Sequence, residues 1–230
     1  MASEAQTWSL LESGSGSSAY NMAVDEALLE AMPQLKQPIL RFYSWHEPAA
    51  SFGYFQKYSE IERATVLRPL VRRPTGGGLV PHDSDWTYSL IFPTVHEWYS
   101  VSATESYRRI HQWIQTSFAT LKVAVDLAED CREPQSGQCF IGYVKNDILW
   151  KGQKIAGAAQ RRTRSGLLIQ GSVQPPPIHL SRTRWHEAMC DAASERGITW
   201  IKFEMNQYVK KRAEELALQK YSQNDYTKKK

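Results

Sequence analysis

The sequence predicts an α+β fold for its 230 residues, and three observations carry that expectation. Short apolar, β-branched and aromatic runs are mixed with helical stretches, without the strict strand–helix–strand alternation of a parallel sheet. Residues 147–173 hold three strand-like runs separated only by Lys151-Gly152 and Ser165-Gly166, the pattern of an antiparallel meander. Tyr107, Ile110, Ile114, Phe118 and Leu121 recur at spacings of three and four, which places them on one face of a helix.

In chain order, Ser13–Ser18 reads as a polar turn, and a helix starts at Asn21, whose side chain suits a cap. Asp25 and Glu26 then fall near the positive end of that helix. Ile39–Trp45 and Ala49–Phe55 read as strands split by His46-Glu47-Pro48. Leu70–Arg73 is a short strand running into Pro74-Thr75-Gly76-Gly77-Gly78, and Tyr88–Phe92 is a strand stopped by Pro93. Ser102-Ala103-Thr104-Glu105 is a capping box for the amphipathic helix. Lys122–Leu127 reads as a strand and residues 130–138 as a loop that ends at Cys139. Strands follow at Asp147–Trp150, Lys154–Arg162 and Leu167–Val173, then helices at Arg182–Arg196 and Phe203–Tyr221. A single catalytic domain over 1–230 is expected, with C-terminal helices from about residue 182 and a basic tail.

Composition narrows the function classes. Hydrophobic residues make up 42% and charged residues 23%, ordinary for a globular protein. No apolar run approaches the roughly 20 residues that span a bilayer, and Met1–Leu11 lacks the pattern of a secretory signal. No membrane association is expected. Cys131, Cys139 and Cys190 are an odd number without zinc-ligand spacing, which argues against a disulfide framework and a metal knuckle. A reducing, cytoplasmic compartment is the expected location, and there a free thiol can serve as a nucleophile. The net charge of +4 is matched by the excess between residues 202 and 230, eight basic against four acidic side chains. Such a local excess argues against a general nucleic-acid surface and suits an acidic protein partner.

Three groups of residues carry chemistry. In Arg72-Arg73-Pro74-Thr75-Gly76-Gly77-Gly78-Leu79-Val80-Pro81-His82-Asp83, three glycines let the backbone approach a ligand, and two guanidinium forks offer anion contacts. In Lys151–Gln160, strand alternation puts Lys154 and Ala156 on one face and Ile155 on the other, and the small residues Ala156-Gly157-Ala158-Ala159 leave room beside Lys154. Cys139 is the third; a nearby Lys154 ammonium would lower its thiol pKa from about 8.5 towards roughly 3.5–7.5. Cys131 and Cys190 have no such neighbour in sequence and are read as structural.

Four segments in this order resemble the lipoate/octanoate branch of the biotin and lipoate protein ligase superfamily: Asn21–Leu29 (NMAVDEALL), Leu40–Gln56 (LRFYSWHEPAASFGYFQ), Arg72–Asp83 (RRPTGGGLVPHD) and Gly152–Val173 (GQKIAGAAQRRTRSGLLIQGSV). The resemblance implies a mixed, curved sheet with helices on its outer side and an apolar acyl tunnel beside the glycine loop. It makes Lys154 the lysine that touches the acyl carbonyl, and Arg73, Gly76, Gly77, Gly78 and His82 the ligand-facing loop.

Two activities fit that resemblance. An octanoyltransferase takes an octanoyl or lipoyl group from a thioester on acyl carrier protein and needs a nucleophile but no cofactor. Cys139, fifteen residues before Lys154 and followed by Phe140, resembles transferases of the cysteine-before-lysine type. Leu168-Ile169-Gln170-Gly171-Ser172 is also closer to their pattern than to the His-Gly-Thr of ligases, and the residues after Val173 suffice for terminal helices alone. An ATP-dependent lipoate-protein ligase would need ATP and Mg, and Asn146-Asp147-Ile148 resembles the ligase segment whose Asp serves the adenylate site. Either way the expected acceptor is a lysine of a lipoyl-carrier domain, such as the glycine-cleavage H protein or a dehydrogenase E2 lipoyl domain. A non-catalytic acyl- or carrier-binding protein is the reading outside enzymology. In the transferase reading Lys154 and backbone N–H groups near the glycine loop or Gly157 hold the oxyanion.

Overall fold

The computed structural model describes residues 6–132 and 142–229. In chain order the elements are β1 Gln6–Gly16, α1 Ser18–Leu35, β2 Ile39–Trp45, β3 Ala49–Phe52, α2 Tyr58–Ala64, β4 Leu70–Arg72, β5 Val80–His82, β6 Trp86–Pro93, α3 Glu97–Ser100 and α4 Ala103–Thr120. Then come β7 Asp126–Leu127, β8 Ile148–Trp150, β9 Gln153–Thr163, β10 Gly166–Val173, α5 Arg182–Ser194, β11 Ile198–Lys202, α6 Gln207–Leu216, a π-helical turn Ala217–Tyr221, and α7 Asn224–Thr227.

Eight strands form one mixed sheet in the order β11-β1-β2-β6-β10-β9-β8-β7. β1 runs parallel to β2 and β11, and the pairs from β2 to β7 are antiparallel. A second sheet, β4-β3-β5, carries the start of the glycine loop. Strand alternation sorts the large sheet into two cores. Leu40, Phe42, Leu90, Phe92, Leu167 and Ile169 pack with α4 and α5. Ile39, Tyr43, Ile91 and Leu168 pack with α1 and α6. Helices therefore cover both faces rather than one outer side, because β2, β6 and β10 carry apolar residues at consecutive positions, the pattern of strands buried on both sides.

Several sequence expectations are corrected. Ser13–Gly16 is strand, paired in parallel with Ser44 and Trp45 across a register shift, so its glycines sit in an irregular edge rather than a turn. Ser17, not Asn21, caps α1 by accepting the Tyr20 N–H. Asn21 lies inside the helix, where its amide nitrogen donates to the carbonyls of Gly16 and Ser44. Lys122–Leu127 contributes only β7. Short β5, α2 and α3 and the exposed β11 carry too little periodicity to be read from the chain. The C-terminal helix breaks after Leu216 into the π-helical turn, and α7 folds back over the small sheet.

Candidate active site

A cavity of about 240 Å³ lies between the large sheet and β3–β5. Met22, Tyr43 and Leu79 line it with apolar surface, and Gly77, Gly78, Gly157, Ala158, Ala159 and Gly171 keep its walls thin. Lys154 and Arg73 face it as cations, with His82, Ser51, Tyr107 and Gln170 as polar neighbours.

Lys154 reaches the cavity through an irregularity in β9. Ile148 pairs with Ala156 but Leu149 pairs with Lys154, so one extra residue is inserted in β9 at Ile155. Such a bulge re-aims a side chain. Ile155 and Ala156 both pack into the core, while Lys154 turns towards Gly157. The expected shared face of Lys154 and Ala156 is therefore overturned, and Ala156 is a core residue opposite Ile148 and Val173 rather than a wall of the cavity. A Cβ on Gly157 would stand 3.0 Å from Lys154 Cε and 3.1 Å from its Nζ, so glycine there makes room for the lysine.

Lys154 Nζ lies 2.7 Å from Asp147 Oδ2. Asp147 is fully buried and also accepts the Val144 N–H at 2.7 Å and the Tyr107 hydroxyl. A buried carboxylate with three partners holds a fixed position, so it can anchor the ammonium. Burial, reinforced by Asp147, raises the Tyr107 hydroxyl far above its usual range, leaving it a donor at neutral pH. Asp147 thus acts behind Lys154 and is not itself among the cavity's lining residues.

The glycine loop is fixed from two sides. His82 Nδ1 lies 2.8 Å from Asp85 Oδ2, and its Nε2 lies 2.6 Å from Ser51 Oγ. A carboxylate at Asp85 accepts from Nδ1–H, and a neutral ring then accepts the Ser51 hydroxyl at Nε2. Thr87 and Ser172 hydroxyls also donate to Asp85, and Trp45 stacks on the imidazole at 3.8 Å. Arg73 Nη1 donates to Ser51 Oγ at 2.9 Å, and its Nη2 donates to the carbonyls of Gly76 and Gly78. Gly77 has φ +82°, a conformation glycine adopts without strain. Its carbonyl sits so near Gly53 that a Cβ on Gly53 would overlap it at 1.9 Å. From the other side Thr75 Oγ1 donates to Gln170 Oε1 at 2.7 Å, and Gln170 Nε2 donates to Asp25 at 2.7 Å.

Asp25 is the centre of a buried network. Arg41 Nη1 donates to it at 2.6 Å, and Ser89 and Tyr43 hydroxyls add two further bonds. Asp25 of the NMAVDEALL segment is therefore a core anchor that joins α1, β2, β6, β10 and the glycine loop, not a helix-dipole residue. Burial, with Asp25 adding to it, raises the Tyr43 hydroxyl far above its usual range.

Of the residues singled out in the sequence, Lys154, Arg73, Gly77, Gly78, His82 and Gly157 converge on the cavity. Gly76 turns away from it and enters through its carbonyl on Arg73. Arg72 is a correction. It precedes Arg73 on a strand, so the two side chains leave opposite faces. The buried Arg72 guanidinium donates to the carbonyls of Tyr54, Gln56, Tyr226, Thr227 and Lys229. Fully occupied by backbone oxygens, it faces no anion. Cys139 and Phe140 lie outside the described residues. Cys131 is exposed and its Sγ accepts the Lys145 N–H, whereas Cys190 is partly buried and its thiol is pushed up to about 12 by burial. Ser51 and Asp85 escaped sequence reading because each is an isolated polar residue, while Tyr107 entered it only as part of a helix face and Gln170 only within the Leu168–Ser172 pattern. Only strand alternation in β3 and β10 could have marked Ser51 and Gln170.

Residues 17–174 match the lipoyl protein ligase A/B catalytic domain. The chain belongs to that family. Among its curated relatives, Octanoyltransferase LipM of Anoxybacillus flavithermus is 40% identical over 183 residues, covering 74% of this chain and 66% of the relative. Octanoyltransferase LipM of Bacillus subtilis is 37% identical over 181 residues, covering 73% and 65%. The chain thus spans slightly less than two thirds of the length of these relatives. Its fold matches lipoate-protein ligase A bound with ATP at a TM-score of 0.77, with 23% identity over 98% of this chain and 99% of that one. The shared fold accounts for the mixed sheet flanked by helices. No helix among the described residues is long and apolar enough to cross a membrane.

Proposed function

We propose that this protein is an octanoyltransferase that moves an octanoyl or lipoyl group from an acyl carrier protein thioester to a lysine of a lipoyl-carrier domain, through an acyl-enzyme on Cys139. The observation that carries the reading is Lys154 on the wall of a narrow, largely apolar cavity, anchored from behind by buried Asp147. The curated relatives at 37–40% identity carry the octanoyltransferase name, which supports transfer over ATP-dependent ligation.

In this reading the Cys139 thiolate attacks the thioester carbonyl and forms the new C–S bond. The tetrahedral oxyanion is held by the Lys154 ammonium, which Asp147 keeps in place. One such donor is worth about 3–4 kcal/mol. Collapse expels the carrier thiolate, which leaves as the thiol once protonated. The acceptor lysine, as the free amine, then attacks the acyl-cysteine, and the C–S bond breaks as the amide forms. Arg73 and the loop carbonyls of Gly76 and Gly78 keep the cavity wall in shape during both halves. Transfer of this kind needs no cofactor, because the thioester is already activated.

Incubation with one lipoyl acceptor domain and either octanoyl-acyl carrier protein or free lipoate plus ATP tests the reading. Acceptor acylation from the thioester without ATP is expected. Acylation only from the free acid, with AMP released, would identify a ligase instead. Tight binding without turnover from either donor would identify a non-catalytic binder.

A further inference from the structure

Arg72, released from any substrate role, builds a surface. Its guanidinium ties the Tyr54–Gln56 loop to Tyr226–Lys229 through backbone carbonyls and lies 4.7 Å from the Phe52 ring centroid. On this support Phe55 is 88% exposed, edge-on to Tyr54 at 5.1 Å. Lys229 Nζ stands 3.5 Å from the Tyr54 ring centroid, and Arg161 lies over the same ring at 5.9 Å. Lys228 caps Tyr58 at 5.3 Å. Glu26, beside this aromatic cluster, is taken by Lys220 and Tyr221, and the Tyr58 hydroxyl donates to exposed Glu62. The result is an exposed Phe55 edge-on to Tyr54, whose ring carries Lys229 and Arg161, with Glu62 at the Tyr58 edge.

The patch adjoins the cavity. Tyr54 N–H donates to the Thr75 carbonyl at 2.9 Å, and Gly53 packs on Gly77. Along β9 the face that carries Gly157 and Ala159 into the cavity continues to Arg161, about 7 Å further on at roughly 3.3 Å per residue. None of Tyr54, Phe55, Arg161 or Lys229 is among the residues that line the cavity. The surface is beside the cavity rather than over it.

We propose that this patch docks the protein that carries the acyl donor, and that the donor's matching face presents carboxylates around an apolar contact. The inference rests on the acyl-transfer reading of the cavity. Exposed aromatics among basic residues are the composition of binding hot spots. Cations at the rim steer an acidic partner and raise its encounter rate. The Arg72 ties hold the patch in one shape before binding, which lowers the ordering cost. Its offset from the cavity suits a thioester on a long flexible arm, whereas an acceptor lysine must bring its own short side chain to the cavity mouth.

The test compares octanoyl-acyl carrier protein with octanoyl-N-acetylcysteamine, a small neutral thioester, using wild type and the Phe55→Ala/Lys229→Glu variant. The variant is expected to raise KM for the carrier-borne donor at least tenfold and to flatten its dependence on salt, with the small donor and the acceptor domain unaffected. Equal losses with both donors, an unchanged carrier KM, or a shift confined to the acceptor domain would each overturn the proposal. Binding of the carrier protein, followed by fluorescence anisotropy, keeps the two readings separable. If wild type turns over neither donor, the transfer reading fails on its own, and equal carrier affinity for wild type and variant then removes the docking surface as well.

Discussion

At the scale of single residues, Lys154 depends on three neighbours that each do something different. The extra residue at Ile155 turns it, Gly157 leaves it space, and Asp147 holds its ammonium at 2.7 Å. Removing a buried ion's partner costs more than the pair contributes, because the remaining charge stays desolvated. Lys154→Ala is expected to lower kcat by about 10²–10³-fold with KM little changed, and to lower the melting temperature because the buried Asp147 loses its cation. Adding Asp147→Asn should recover stability without recovering activity, which thermal melts and transfer kinetics on the same samples would check. Recovery of activity in the double variant would mean that Lys154 acts only as a counter-ion. The lysine itself stood out in the sequence among small residues. Its orientation did not, since strand alternation pairs it with Ala156 and only the strand pairing exposes the bulge.

At the scale of elements, the Asp25–Arg41 pair links α1 to the centre of the sheet, and Gln170 passes that link to Thr75 in the glycine loop. Asp25→Ala leaves a buried guanidinium without its carboxylate. A loss of about 3–5 kcal/mol is expected on breaking such a pair, read as a lower urea midpoint with the slope retained. A loss below about 1 kcal/mol would show that the pair is not held as described. β2, β6, β8, β9, β10 and α4 were legible, because each combines a periodic apolar pattern with a turn or capping signal. β1 was not, since its Ser-Gly segment has the composition of a turn and joins the sheet only through the pairing of Ser15 and Gly16 with β2. The paired arginines were misread for a similar reason. Sequence places Arg72 and Arg73 side by side, and the strand sends one to the cavity and the other to five backbone carbonyls.

At the scale of the whole molecule, packing on both faces of the sheet buries titratable groups whose charging opposes folding. His111 on α4 is fully buried and has its pKa lowered to about 4 by burial, with Asp147 opposing and Lys154 reinforcing the shift. His96 is lowered to about 4 as well, again chiefly by burial. Folded-state values below the unfolded 6.5 mean that the unfolded chain binds protons first. The stabilisation is therefore complete above about pH 6.5 and is lost as pH falls towards about 4. For His111 the span corresponds to about 3 kcal/mol at 1.4 kcal/mol per unit. His111→Gln is expected to flatten that acid limb in urea unfolding measured across this range, and an unchanged limb would assign the acid sensitivity to other groups.

In the proposed transfer an acyl group is carried on Cys139 between donor and acceptor, and the Lys154 ammonium holds the oxyanion. An intact-mass spectrum after mixing with octanoyl-acyl carrier protein, without acceptor, tests it most directly. One octanoyl adduct is expected, removed by neutral hydroxylamine and absent from Cys139→Ala. Full octanoyl transfer by Cys139→Ala, or an adduct that persists in it, would rule out the Cys139 acyl-enzyme.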